Sequence, residues 1–199
     1  MPSSQWKENV ITVPNNPVAP SEIRGGASGI AGSAAKQSLL VSKAPPRPSW
    51  AVVAVATAAG VAGLVLLVAV GSVMDRVLLI PPLAASAALV YGAPALPLSQ
   101  PRSVIGGQLL SAVVGFLVLW SAGSSTWTAA IAGGLALGAM QIARTPHSPA
   151  AATAVIVAAT KPDPLVFLPL LGLATVLLVL VGVAVGRTGP GTRYPAYWW

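Results

Sequence analysis

Apolar residues along this chain come in long runs, and polar residues gather at the breaks between them. Residues 50–73 form an apolar run of 24, longer than the about 20 residues a helix needs to cross a bilayer. The run ends at Asp75-Arg76, and residues 77–92 follow as a shorter apolar segment broken by Pro81-Pro82. Proline fits the first turn of a helix, where its missing N–H would find no partner anyway, so a helix is predicted to begin near Pro82. Residues 93–102 hold three prolines, and 103–120 form the next apolar run, closed by a turn at Gly123-Ser124-Ser125. Residues 127–142 make a further span carrying Gly133, Gly134 and Gly138, small residues that let helices approach closely in lipid. A short apolar stretch, 149–160, follows Arg144-Thr145-Pro146-His147-Ser148. After the turn Lys161-Pro162-Asp163-Pro164, residues 165–186 form the last long span. The pattern is helix, proline-led segment, helix, written twice.

The two proline-led segments share a local grammar. Pro82-Leu83-Ala84-Ala85-Ser86-Ala87 is matched in kind by Pro149-Ala150-Ala151-Ala152-Thr153-Ala154, 67 positions later (149 − 82). Three membrane segments per copy is an odd number, so the second copy enters the bilayer reversed. Inverted repeats with broken helices at matching positions are the pattern of secondary transporters, whose sites lie between the repeats near the midplane. The predicted fold is therefore all-α: a polytopic membrane helix bundle over residues 50–186, built of two inverted three-segment repeats with short proline-led segments. Residues 1–49 form a polar N-terminal tail and residues 187–199 an aromatic C-terminal one.

Composition agrees with this reading. Only 8% of the 199 residues are charged and 55% are hydrophobic, with a mean hydropathy of +0.78, whereas a soluble domain carries about 25% charged residues. The net charge of +7 is scattered singly and forms no basic face for nucleic acid. It fits the excess of Lys and Arg on the cytoplasmic side of membrane proteins. With six crossings and a cytoplasmic N-terminus, nine Lys/Arg lie inside and two, Arg76 and Lys161, outside; with re-entrant short segments the split is seven to four. Six crossings are therefore predicted, with tilted or broken short spans. The N-terminal tail, rich in Pro, Ser, Gly and Ala and lacking a short apolar core before a cleavage site, reads as disordered rather than as a secretory signal. Tyr194, Tyr197, Trp198 and Trp199 are predicted to lie at the headgroup level. The chain has no cysteine and one histidine, and its apolar segments contain no acid. No metal site, catalytic triad or phosphate loop can be assembled from this set, so neither an enzyme nor a cofactor is predicted.

The candidate chemistry is anion binding. A helix starting at Pro149 with Ser148 as its N-cap presents unpaired N–H groups and a positive dipole end, and the copy at Pro82 supplies a second, the two tips facing one spot. Ser86 and Thr153 add hydroxyls about one turn in, and Arg102, Arg144 and His147 add positive charge at the loop ends. Each has a plainer explanation as well. Arg102 and Arg144 serve equally as cytoplasmic anchors, Ser86 and Thr153 as donors to their own helix carbonyls, and His147 as a structural donor. Gly106 and Gly107 read best as helix packing.

Residues 99–112, Ser-Gln-Pro-Arg-Ser-Val-Ile-Gly-Gly-Gln-Leu-Leu-Ser-Ala, resemble the signature loop and following helix of the HPP integral membrane proteins, and 147–154 resemble the His-Pro-Pro motif that names them. The likeness covers roughly residues 50–186. It implies a multi-pass protein of a bacterial inner membrane, N-terminus cytoplasmic, or of the chloroplast envelope, with nitrite transport known for plastid members. Ser148 replaces the family's second motif residue, Pro; Gln108 stands where His is common; Ala84 and Ala151, equivalent in the repeat, stand where Gly is usual. Matched replacements suggest that the two segments face each other, the added methyls narrowing any passage. The expectation is a transporter or channel for a small inorganic anion such as nitrite, possible as a homo-oligomer in the lipid bilayer. Arg102, Ser86, Arg144, His147, Ser148, Thr153 and Gln108 are its expected binding residues, and Pro82, Gln100, Pro101, Gly106, Gly107 and Pro149 its structural motif. The alternative is a non-transporting scaffold or accessory subunit.

Overall fold

The structure, a computed structural model, describes residues 46–188 and 193–198. The expected disordered tail lies, up to residue 45, outside the described residues, as does Trp199. Among the described residues there are six α-helices and no strand: α1 (Trp50–Val73), α2 (Pro81–Gly92), α3 (Gly107–Ala122), α4 (Thr126–Ile142), α5 (Ser148–Thr160) and α6 (Pro164–Thr188). Between α2 and α3 lie a 3₁₀ turn, Pro97–Ser99, and a π-helical stretch, Arg102–Gly106, that runs straight into α3. Trp50–Val73, Arg102–Ala122 and Pro164–Arg187 are long and apolar enough to cross a membrane. The expected full span at 127–142 is a helix of 17 residues, one that reaches across only with thinning or flanking loop.

The helix boundaries follow from local chemistry. Ser49 caps α1, Ser125 caps α4 in a reciprocal pair with Thr128, and the Asp163 carboxylate accepts the Leu165 N–H at the start of α6. Both short helices carry proline at the second position, Pro82 in α2 and Pro149 in α5. They also begin at the offset seen in the sequence (148 − 81 = 67), so Ile80 and His147 are equivalent N-caps. The expected N-cap Ser148 is instead the first residue of α5, and the His147 side chain makes no capping bond because it is committed elsewhere.

Helix α5 packs on α3 and α4, while α2 packs on α1 and α6; α2 then meets α5, and α3 meets α6. In lipid such packing depends on backbones coming close rather than on apolar burial. Gly115 in α3 provides this: a Cβ there would stand 2.9 Å from both the Ala154 carbonyl oxygen and Val157 Cβ of α5. Gly182 in α6 does the same on α2, where a Cβ would stand 2.6 Å from Val90 Cγ1. These contacts map onto each other under the 67-residue offset, Gly115 to Gly182 and Val90 to Val157. Gly107 beside His147 and Gly115 beside Ala154 show α3 and α5 running side by side in one direction.

Loop contacts sort the two ends of the bundle. At one end the His147 ring bonds the Leu98 carbonyl and Arg102 bonds the Ala143 carbonyl, joining the α2–α3 and α4–α5 loops. At the other, Ser124 bonds the Ala159 carbonyl, joining the α3–α4 turn to the end of α5. The C-terminal segment also folds onto the first end. Tyr194, expected at the headgroups, is only 3% exposed, set against Gly182 and Gly186 of α6, because neither glycine has a Cβ to keep its ring away.

Candidate functional site

Three elements place polar side chains at one buried point inside this apolar bundle. Ser86, the sixth residue of α2, Gln108 at the start of α3, and Thr153 of α5 are each fully buried, and His147 at the head of α5 is 1% exposed. The Gln108 carboxamide sits between the two repeat-equivalent hydroxyls: its Nε2–H donates to Ser86 Oγ at 2.9 Å, and its Oε1 accepts from Thr153 Oγ1. His147 lies on the other side of Ser86, with Nε2 2.7 Å from Ser86 Oγ and Nδ1 2.7 Å from the Leu98 carbonyl oxygen.

A carbonyl oxygen can only accept, so Nδ1 carries a proton, and in the neutral ring Nε2 is the acceptor. Ser86 Oγ also lies 2.9 Å from the Pro82 carbonyl oxygen one turn back. Its single hydroxyl hydrogen thus faces two acceptors, Pro82 O and the neutral His147 Nε2, while its lone pairs already receive Gln108. A cluster that satisfies itself this fully inside a membrane protein restricts the positions of four side chains at once. Just below it, Ser111 of α3 donates to the Ala150 carbonyl of α5.

The loops are held as closely. Gly107 leaves room for the α4–α5 loop, since a Cβ there would stand 2.8 Å from His147 Cβ and from the Thr145 carbonyl oxygen; Gly106 faces the Thr145 methyl. Gly107 also faces Met140 of α4, whose Sδ would stand 3.3 Å from a Cβ there, so the expected helix packing is joined by a close helix–loop contact. Gln100, fully buried behind Pro101, donates to the Pro94 and Leu96 carbonyls and accepts the Ala196 N–H, tying the C-terminal segment to the loop that bonds His147.

Not every expected site residue joins the cluster. Arg102 is half-buried and donates from Nη2 to the Ala143 carbonyl at the end of the bundle, and Arg144 is exposed there in a left-handed turn, φ 58°. Ser148 is exposed. The helix tips also differ from expectation. Pro81 and Pro82 have no N–H to offer, and the Leu83 N–H already bonds the Ile80 carbonyl; in α5 the same holds for Pro149 and for Ala150 with the His147 carbonyl. Among these first residues only Ser148 keeps an N–H outside such bonds, so the two tips do not present matched sets of amide donors. It is His147, at one tip, that reaches the middle of the other helix. Ala84 and Ala151 are both half-buried. Among the described residues no group of three His, Cys, Asp or Glu could hold a metal ion.

The sequence profile of the HPP transmembrane region matches residues 45–195. The chain belongs to the HPP family. The match extends past residue 186 as far as residue 195 and so includes the buried Tyr194. Two transmembrane proteins of Dictyostelium discoideum are similar to it, one 34% identical over 125 residues (58% of this chain and 44% of that one), the other 28% identical over 134 residues (63% and 43%). The chain thus spans less than half the length of these relatives. No solved structure matches it.

In this HPP protein the motif histidine earns its place by bonding both neighbours. Two residues that touch the site's surroundings were not singled out in the sequence. Leu98 contributes only its carbonyl. Thr145 keeps a buried hydroxyl with no hydrogen-bond partner in the same loop as His147; its position beside the motif was the one available clue.

Proposed function

We propose that this HPP protein moves a small inorganic anion across the membrane by way of the Ser86–Gln108–His147–Thr153 cluster, with nitrite as the first substrate to test. The observation that carries the reading is the convergence of these four buried side chains from α2, α3 and α5 inside an apolar bundle. Polar groups are costly at membrane depth and mark pathways there by default. The cluster is rich in donors and contains no carboxylate, and Thr145 holds a spare hydroxyl in the adjoining loop. Arg102 and Arg144 act at the mouth, raising the local anion concentration rather than binding the anion inside.

The halves α1–α2–α3 and α4–α5–α6 form an inverted repeat in this reading. The matched pairs Gly115 with Val157 and Gly182 with Val90, and the equivalent caps Ile80 and His147, support it. Rocking of one half against the other would open the enclosed cluster to each side in turn. The end with Arg102 and Arg144 faces the cytoplasm, by the usual excess of basic residues there, and the membrane is the bacterial plasma membrane or the chloroplast envelope.

A scaffold role draws on a different observation, that the four side chains satisfy one another in this closed arrangement. Reconstitution separates the two. A transporter gives nitrite uptake into proteoliposomes above that of protein-free vesicles. A scaffold gives none and co-purifies with a stoichiometric partner.

A further inference from the structure

Resting on the transport reading above, we infer that the cluster carries a monoanion together with one proton, His147 Nε2 being the group that holds the proton. A monoanion entering this enclosed point needs a compensating charge, and within the cluster Ser86, Gln108 and Thr153 have none to give. The groups facing His147 are Ser86 of α2, Gly107 of α3, and Leu98 of the α2–α3 loop. The charged groups on these elements are Arg102, half-buried ahead of Gly107 and bonded to the Ala143 carbonyl, and Arg144, exposed on the loop before His147. No carboxylate stands among them. Asp75 and Asp163 lie in the turns ahead of α2 and α6.

The hydrogen-bond geometry accommodates both charge states without moving a heavy atom. With His147 neutral, the Ser86 hydroxyl donates to Nε2. With His147 protonated, Nε2–H donates to Ser86 Oγ, and the hydroxyl turns to the Pro82 carbonyl oxygen 2.9 Å away. Gln108 donates to Ser86 in either state. The proton is taken from water on the side where the anion enters and returned to water on the side where it leaves, so one anion and one proton cross with no net charge.

The test uses the full chain in proteoliposomes with nitrite as the probe, the membrane potential clamped at zero by potassium and valinomycin, and protein-free vesicles subtracted because undissociated acid crosses lipid unaided. An acid exterior is expected to drive nitrite uptake at an initial rate well above that of protein-free vesicles, toward the same limit of about tenfold accumulation per pH unit, with one proton per nitrite reported by an internal pH dye. A potential imposed without a pH gradient is expected to drive none. His147→Gln is expected to abolish the acid-driven accumulation. Robust wild-type uptake that follows the potential and ignores the pH gradient would overturn the coupling while leaving transport standing. Absence of any protein-dependent uptake would overturn both.

Discussion

The bond between Gln108 and Thr153 is expected to register as a coupling energy. Gln108 Oε1 accepts from Thr153 Oγ1 while its Nε2–H donates to Ser86 Oγ at 2.9 Å, all three groups being fully buried. Gln108→Leu removes both bonds at similar volume, but it also removes the need to bury a carboxamide, so its net effect on stability mixes two terms of opposite sign. Thr153→Val removes one hydroxyl from the same bond. The cycle formed by the two single variants and the double variant isolates the shared bond. Interhelical hydrogen bonds within membrane proteins measure about 0.6 kcal/mol on average and about 1.7 at most. Because both groups here are enclosed and the amide is held at its other end by Ser86, a coupling in the upper half of that range, about 1–1.7 kcal/mol, is expected. Reversible unfolding in SDS–lipid micelles, followed by helical ellipticity, reads it out. Additivity within about 0.3 kcal/mol would show that the two side chains do not share a bond, and the cluster would lose the link that ties α3 to α5.

Four other outcomes are expected. Gly115→Ala is expected to destabilise by about 1–3 kcal/mol, because its Cβ meets the Ala154 carbonyl at 2.9 Å and backbone cannot turn aside. Gly182→Ala, which meets the Val90 methyl and the Tyr194 ring, is expected to cost less and to be rescued by Val90→Ala; equal costs without rescue would contradict the contacts, and thermal unfolding in detergent compares them. Arg102→Gln is expected to raise KM for nitrite roughly fivefold, about 1 kcal/mol, with kcat little changed, whereas a loss confined to kcat would place Arg102 in the transport step itself. Since the chain has no native cysteine, Ser124→Cys and Ala143→Cys can be labelled one at a time in sealed vesicles. Opposite sidedness is expected if all six helices cross, and the same sidedness would rule that out.

The starts of the two short helices were legible because they are written in residue types that act locally. Proline at the second position of α2 and α5 fixes both starts, and an identical offset separates them whatever the helices pack against. His147 was singled out by its uniqueness, and Ser86 and Thr153 by their matching positions after Pro82 and Pro149; the structure brings all three into one buried cluster. Their partner Gln108 was singled out only through the family resemblance. Its amide lies 22 residues from Ser86 and 45 from Thr153, and no periodicity spans such distances. Charge misled in the opposite direction. Arg102 and Arg144 drew attention as the cations nearest the motif, yet both stay at the bundle end, where the Arg102 guanidinium bonds the Ala143 carbonyl and Arg144 is exposed. The helix-tip argument is weakened for a related reason, since Pro81 and Pro82 at the start of α2 and Pro149 in α5 have no N–H to offer an anion, and of these first residues only Ser148 keeps one. Tyr194 was read as interfacial because aromatic tails commonly are, and only the two glycines of α6 beneath it reveal the seat it occupies.

The most direct test of the buried cluster as the transport site is the initial rate of nitrite uptake by Ser86→Ala in proteoliposomes, at a reconstituted amount equal to wild type and with helical content unchanged. Ser86 Oγ joins His147, Gln108 and the Pro82 carbonyl, so its loss is expected to cut the rate at least tenfold, about 1.4 kcal/mol. A variant that folds and carries nitrite at the wild-type rate would contradict the assignment.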